Sequence, residues 1–171
     1  DFIKIDTEGS EFFILQGAVD AMRRGILGFE IEVAYAPLRE GQPQFSDVDT
    51  FMKKHNFYLF DLKNYYWKRT EGRRLGKTRG QIIFTDTLYL RTPEAVVAII
   101  ESIADKEQAK AKALKTFAIC ALYGYFDYAM ELFQRLKDRF SDEEQVSIHQ
   151  WLVGHTGWPY RIPLFRGRHK L

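Results

Sequence analysis

The segment from Asp1 to Ala18, DFIKIDTEGSEFFILQGA, constrains the fold of this chain more than any other stretch. It reads as an apolar strand, a turn crowded with carboxylates and a helix. Phe2, Ile3 and Ile5 supply the strand, Thr7 to Ser10 the turn, and Phe12, Phe13, Ile14 and Leu15 the start of the helix. Gly17 is expected to interrupt that helix before Val19, Ala21 and Met22 resume it. A strand that starts at residue 1 with no Met before it is expected to open inside a domain rather than at its beginning.

The alternation continues downstream, as expected for a parallel sheet covered by helices. A second strand, Ile26 to Ala34, places Leu27, Phe29, Ile31 and Val33 on one face and Glu30 and Glu32 on the other. The loop from Tyr35 to Phe45 contains Pro37, Gly41 and Pro43 and is longer than the usual connection in an α/β unit. Long loops at strand ends often hold substrates. Ser46 is expected to cap a helix that buries Val48, Phe51 and Met52 and ends at Asn56. A short strand from Phe57 to Leu62 follows, then an exposed basic connection from Lys63 to Gly80. Gln81 to Arg91 returns as a strand, antiparallel to its predecessor.

The character changes at Thr92-Pro93, a cap followed by proline at the first helical position. Val96, Ile99, Ile100 and Ile103 repeat at helical spacing, as do Leu114, Phe117, Ala118 and Ala121, and Phe126, Ala129, Met130 and Phe133. Ser141 and Glu144 form a capping-box signature for a last helix. The helices flanking Tyr123 to Asp127 resemble a tetratricopeptide-type hairpin, but a solenoid needs about three repeats. The region from 92 to 171 is therefore expected to be a helical appendage or a dimer interface, open to a protein partner. The basic tail after Trp158, with Arg161, Arg166, Arg168, His169 and Lys170, is read as a solvated terminus and not a nucleic-acid site.

Composition excludes little. The 171 residues carry a formal charge of +2, and no apolar run approaches the roughly 18 residues of a spanning helix. The single cysteine, Cys120, rules out an internal disulfide framework and fits a reducing compartment, so a cytoplasmic location is expected. The four histidines, His55, His149, His155 and His169, lack metal-ligand spacing near an acidic pair.

Any chemistry belongs at the C-terminal ends of the strands, where open α/β sheets bind ligands. Asp6, Glu8 and Glu11 lie there. A carboxylate in that place can act as a general base, hold a divalent cation or accept hydrogen bonds from a cofactor's amines. Glu8 and Glu11 could also simply complement the positive end of the helix.

The stretch KIDTEGSEFFILQGA, Lys4 to Ala18, resembles the signature of the FkbM-type S-adenosylmethionine-dependent methyltransferases: an apolar strand, then lysine, apolar, Asp, any, Glu, Gly, any, Glu. FEIEVAYAPLREGQPQF, Phe29 to Phe45, is similar to the strand and loop that follow in that family, and RGQIIFTDTLYLR, Arg79 to Arg91, to its closing strand. The resemblance implies an α/β fold, namely the C-terminal half of a class I, Rossmann-like methyltransferase sheet at residues 1–91, with an all-helical extension at 92–171. These strands would be the fourth to seventh of seven, with the glycine-rich cofactor loop lying upstream of Asp1.

The implied reaction is methyl transfer from S-adenosylmethionine to a hydroxyl of a sugar, glycolipid or polyketide-like acceptor. Asp6, Glu8 and Glu32 are the implied catalytic residues, with Asp6 also facing the cofactor. Glu11, Arg39 and Gln42 are assigned to the acceptor, although Arg39 stands where the family would lead one to expect an aromatic residue. Asp86 is expected to make a structural hydrogen bond. No residue is assigned as a metal ligand, and the question of a divalent metal stays open, since clustered carboxylates suit Mg²⁺ and a metal-free base alike. The rival readings are a non-catalytic helical interaction module on a degenerate α/β domain and another kind of α/β enzyme.

Overall fold

The computed structural model describes residues 1–155 apart from Thr78, so the basic tail lies outside the described residues. Contacts divide the chain into two compact units, one of residues 3–90 and one of the residues from Arg91 onward together with Asp1 and Phe2.

The first unit contains β1 (Phe2–Ile5), α1 (Glu11–Gly17), α2 (Val19–Arg23), β2 (Gly28–Ala34), α3 (Phe45–Lys54), β3 (Tyr58–Trp67) and β4 (Gln81–Leu90). The expected break after Gly17 is present and separates α1 from α2. The four strands form one sheet in the order β1-β2-β4-β3. β4 runs antiparallel to β3, as expected, and also to β2, into whose side it inserts. The sheet is thus not parallel throughout.

One face of β2 makes the core. Phe29, Ile31 and Val33 pack with Ile5, Leu15, Met22, Val48, Met52, Phe57 and Tyr89, all of them buried. Strand side chains alternate, so burying this face turns Glu30 and Glu32 to the other side. There the register sets Glu32 opposite Asp86 of β4, and Asp86 opposite Lys63 of β3. A polar row therefore crosses three strands.

Several boundaries differ from the sequence reading: β2 starts at Gly28 rather than Ile26, β3 at Tyr58 rather than Phe57, and β4 ends at Leu90 rather than Arg91. α3 starts at Phe45, one residue before Ser46, and Gln44 is its cap: the Gln44 amide donates to the Asp47 carboxylate at 2.8 Å. β3 extends to Trp67 rather than stopping at Leu62, taking in the first residues of the supposed basic connection. Tyr65, Tyr66 and Trp67 favour strands, and Asp86 holds the extension by accepting from the Tyr65 hydroxyl at 2.8 Å and pairing with the Lys63 ammonium at 3.4 Å. The helix end at Asn56 is as expected, with that residue in the left-handed region at φ 62°.

The second unit is helical: α4 (Pro93–Glu101), α5 (Lys106–Leu122), α6 (Phe126–Leu136) and α7 (Asp142–His155). Thr92 caps α4 by accepting from the Ala95 amide at 3.3 Å. Ser141 and Glu144 close the expected capping box, the Ser141 amide donating to the Glu144 carboxylate at 2.9 Å and the Glu144 amide to the Ser141 hydroxyl at 3.4 Å. Tyr123, Gly124 and Tyr125 join α5 to α6, and Gly124 supplies a φ of 86°. Ala109, Ala113, Phe117 and Cys120 of α5 are buried, as are Ala129, Leu132 and Phe133 of α6 and Leu152 of α7. Burial raises the Cys120 thiol to about 12, which keeps it protonated and inert.

The β3–β4 hairpin has a point of close approach that can be tested. A Cβ at Gly80 would lie 2.8 Å from the Trp67 carbonyl oxygen, whereas one at Gly72 meets nothing within 4 Å. Gly80→Ala is expected to cost about 1–3 kcal/mol in chemical denaturation. Gly72→Ala should stay within about 0.5 kcal/mol.

Candidate active site

The turn after β1 is held from within. Glu11, the first residue of α1, is 7 % exposed, and its carboxylate faces back into the turn. It accepts from the Thr7 amide at 2.8 Å, from the Thr7 hydroxyl at 3.0 Å and from the Gly9 amide at 3.0 and 3.1 Å. Burial alone would raise its pKa, but these donors outweigh burial and hold the carboxyl below its ordinary value. Glu11, expected on the acceptor, is instead the brace of the turn, because its oxygens are already occupied by Thr7 and Gly9. The brace fixes an uncommon backbone: Glu8 has a φ of 59°, a left-handed conformation that non-glycine residues rarely adopt.

Lysine in the motif has an equally local explanation. Lys4 of β1 forms an ion pair at 2.9 Å with Glu30 of the neighbouring β2, and Glu30 is buried. This hydrogen bond raises the Lys4 pKa. The pair ties the two strands whose ends carry the remaining acids.

With Glu11 and Glu30 committed to structure, Asp6, Glu8 and Glu32 remain, and the fold brings them together. One oxygen from each lies within 4.8 Å of the other two. Asp6 and Glu8 are exposed and Glu32 is half-buried. Burial pushes Glu32 up first, and the charges of Asp6, Asp86, Glu8 and Glu11 add to it, so that its carboxyl is pushed up to about 7. Asp86 makes the structural hydrogen bond expected of it, to Tyr65, and is compensated by Lys63.

The long loop folds over this turn. Its start is fixed by the Tyr35 amide donating to the Ile83 carbonyl at 2.7 Å, and by the Tyr35 and Phe45 rings at 5.1 Å. Gln42 braces the loop by accepting from the Leu38 and Arg39 amides at 3.1 and 3.2 Å. The Arg39 guanidinium stands 3.8 Å from Glu8, and a Cβ at Gly9 would come within 2.6 Å of Arg39 and 3.4 Å of the Gln42 amide nitrogen. Gly9 has a φ of 116°, so glycine serves both the backbone and the loop's approach. Arg39 and Gln42 thus reach the acidic turn. The sequence held no signal for the part played by Ile83, whose contribution is a backbone carbonyl.

Such a site favours a cationic guest. Three carboxylates converge, and a positive charge among them would relieve the repulsion that raises Glu32. The same site offers a half-buried carboxyl able to exchange a proton near neutral pH.

Residues 1–59, about a third of the chain, match the family model of the Methyltransferase FkbM domain. The resemblance read from the acidic turn is thereby borne out over the N-terminal part of this chain. No curated protein matches the chain, and no solved structure does. The matched stretch includes Asp6, Glu8, Glu11, Glu32, Arg39 and Gln42.

Two expected outcomes follow from this geometry. Glu11→Ala strands the Thr7 and Gly9 donors and should cost about 1–3 kcal/mol in chemical denaturation, with Glu11→Gln costing less because one acceptor oxygen stays. The Glu32 carboxyl should titrate near 7 in carbon-detected NMR, and Asp6→Asn should lower that value by removing a neighbouring charge. Because the folded-state pKa is raised, the stabilising contribution of Glu32 is complete below its ordinary value of 4.5 and is lost as pH rises through about 7.

Proposed function

We propose that this chain forms part of the catalytic domain of an S-adenosylmethionine-dependent O-methyltransferase, contributing the acceptor side of the site. A methyltransferase function is what the FkbM match supports. The finer assignment rests on Glu32, whose carboxyl is held at about 7 beside Asp6 and Glu8. Within this reading residues 1–91 are the later strands of a class I, Rossmann-like sheet, and residues from 92 onward are its helical extension. The insertion of β4 between β2 and β3, antiparallel to both, supports an α/β sheet closed by a reversed strand.

Methyl transfer to a hydroxyl asks two things of the protein: alignment of the acceptor oxygen and removal of its proton. S-adenosylmethionine supplies a methyl group already activated on a sulfonium, and its two cationic centres suit a set of converging carboxylates. Asp6 would hold the cofactor at the end of β1. Glu32 would take the acceptor's proton, a task suited to a base poised near the working pH. Glu8 sits on the left-handed turn beside Arg39, and Arg39 with the amide nitrogen of Gln42 would border the acceptor. Glu11 keeps the turn in shape. The acceptor class is a sugar, glycolipid or polyketide-like hydroxyl, and a cytoplasmic enzyme is the setting this implies. Among the described residues no helix is long and apolar enough to cross a membrane. The family match favours the enzyme over a non-catalytic helical module.

Glu32→Gln in the full-length protein tests this assignment. Turnover should fall by about 10²–10⁴-fold, the span of general-base contributions, while S-adenosylmethionine affinity is largely kept. The pH–rate limb near 7 should vanish with it. Unchanged turnover would remove Glu32 from the mechanism, and failure of the full-length protein to bind S-adenosylmethionine would remove the methyltransferase reading.

A further inference from the structure

The β3–β4 connection borders an open cavity of about 600 Å³, comparable in volume to small-molecule sites. Its walls include Tyr66, Trp67, Lys68, Arg69, Glu71 and Arg73. Chemistry of three kinds meets there. Tyr66 and Trp67 expose large aromatic surfaces, 44 % and 53 % accessible. Three cations face one carboxylate, leaving an excess of two positive charges. Polar groups complete the wall, with Thr70 and Gln81 alongside and Ile83 as the aliphatic exception.

This wall is organised. The Arg69 guanidinium donates to the Gln81 side-chain oxygen at 2.8 Å, and the Lys68 ammonium to the Gly76 carbonyl at 2.8 Å. Both acceptors are neutral, so the two cations are held in place while keeping their charge. Behind them the hairpin is fixed by Gly80, whose backbone approaches that of Trp67 too closely for a side chain. Trp67 is also held edge-on to Phe84, with ring centroids 6.1 Å apart.

We propose that this cavity is a binding site for a sugar phosphate. The guanidinium forks of Arg69 and Arg73 match a phosphate's oxygens. An aromatic face suits the apolar face of a pyranose ring, and Glu71, Thr70 and Gln81 suit its hydroxyls. A nucleobase would leave most of those polar groups unpaired, which disfavours it at a wall with so little aliphatic surface. The cavity lies at the end of the sheet toward which β2 runs: Ala34 pairs with Phe84, and the hairpin continues to Trp67 opposite Gln81. That continuation is about 10 Å of strand. Ile83 links the two regions, since it lines the cavity and its carbonyl anchors the loop over the acidic turn. Use of the cavity to anchor a methyl acceptor rests on the methyltransferase reading, whereas binding itself does not.

Binding can be measured on the 171-residue chain by ¹H–¹⁵N NMR, following the Trp67 indole and the Arg69 and Arg73 side chains. Glucose 6-phosphate should shift these signals saturably, more tightly than glucose, inorganic phosphate or AMP. The Arg69→Gln/Arg73→Gln double variant, its backbone spectrum retained, should weaken binding by about tenfold or more, the loss expected for hydrogen bonds to a charged group. Lys54→Gln, which removes a cation of α3, should leave it unchanged. Absence of saturable shifts, equal binding of inorganic phosphate, tighter binding of AMP, or equal weakening by Lys54→Gln would each overturn the proposal. None of these readouts involves methyl transfer, so a failure here leaves the Glu32 assignment standing, and the reverse also holds.

Discussion

Burial of one face of β2 is the constraint on which the rest of the α/β unit depends. Phe29, Ile31 and Val33 enter the core with Leu15, Met22, Met52 and Phe57, and a shift of one residue would exchange every buried side chain for an exposed one. Glu30 and Glu32 are therefore locked onto the opposite face. They cannot withdraw to solvent without dismantling the core. Lys4 neutralises the first acid. The second is left beside Asp6, Glu8 and Asp86, and burial, with that proximity added to it, pushes its pKa up to about 7.

The acidic turn shows how similar residues divide between shape and chemistry. Glu11 is buried and accepts from the Thr7 amide and hydroxyl and from the Gly9 amide, so it contributes rigidity. Glu8, three residues earlier, is exposed on a left-handed backbone that this brace maintains. Strained conformations persist only where the surroundings over-determine them, and here the brace on one side and Arg39 with Gln42 on the other do so. Rigidity from Glu11 thus becomes placement for Glu8 and Asp6.

The helical unit obeys simpler rules. Small residues on α5, Ala109 and Ala113, are fully buried, which lets neighbouring helices come close, while Phe117, Phe133 and Phe140 fill the space beyond them. Its ends are closed by side-chain caps at Thr92, Asp105 and Ser141. These devices are local: the caps at Thr92 and Ser141 were legible in the sequence, but the Asp105 cap and the buried Ala109 and Ala113 were not, and Leu114 and Ala118 of the expected apolar stripe are exposed.

The sequence by itself determined the alternation of elements, the break after Gly17, the start of α4 at Thr92-Pro93 and the acidic turn that carries Asp6 and Glu8. These follow from short-range patterns: strand and helix periods, proline and glycine, and a motif contiguous along the chain. Only the tertiary structure decided which acids are available. Glu11 and Glu30 look no different from Glu8 and Glu32 as letters, but donors from the Thr7–Gly9 turn and from Lys4 consume the first two. Tertiary contacts likewise extended β3 to Trp67, since the partners that hold it, Asp86 and Gly80, lie far along the chain. Hydrogen-bond satisfaction and desolvation are properties of neighbours in space, and those neighbours are set by the folded turn and by the sheet in which β1, β2, β4 and β3 lie side by side.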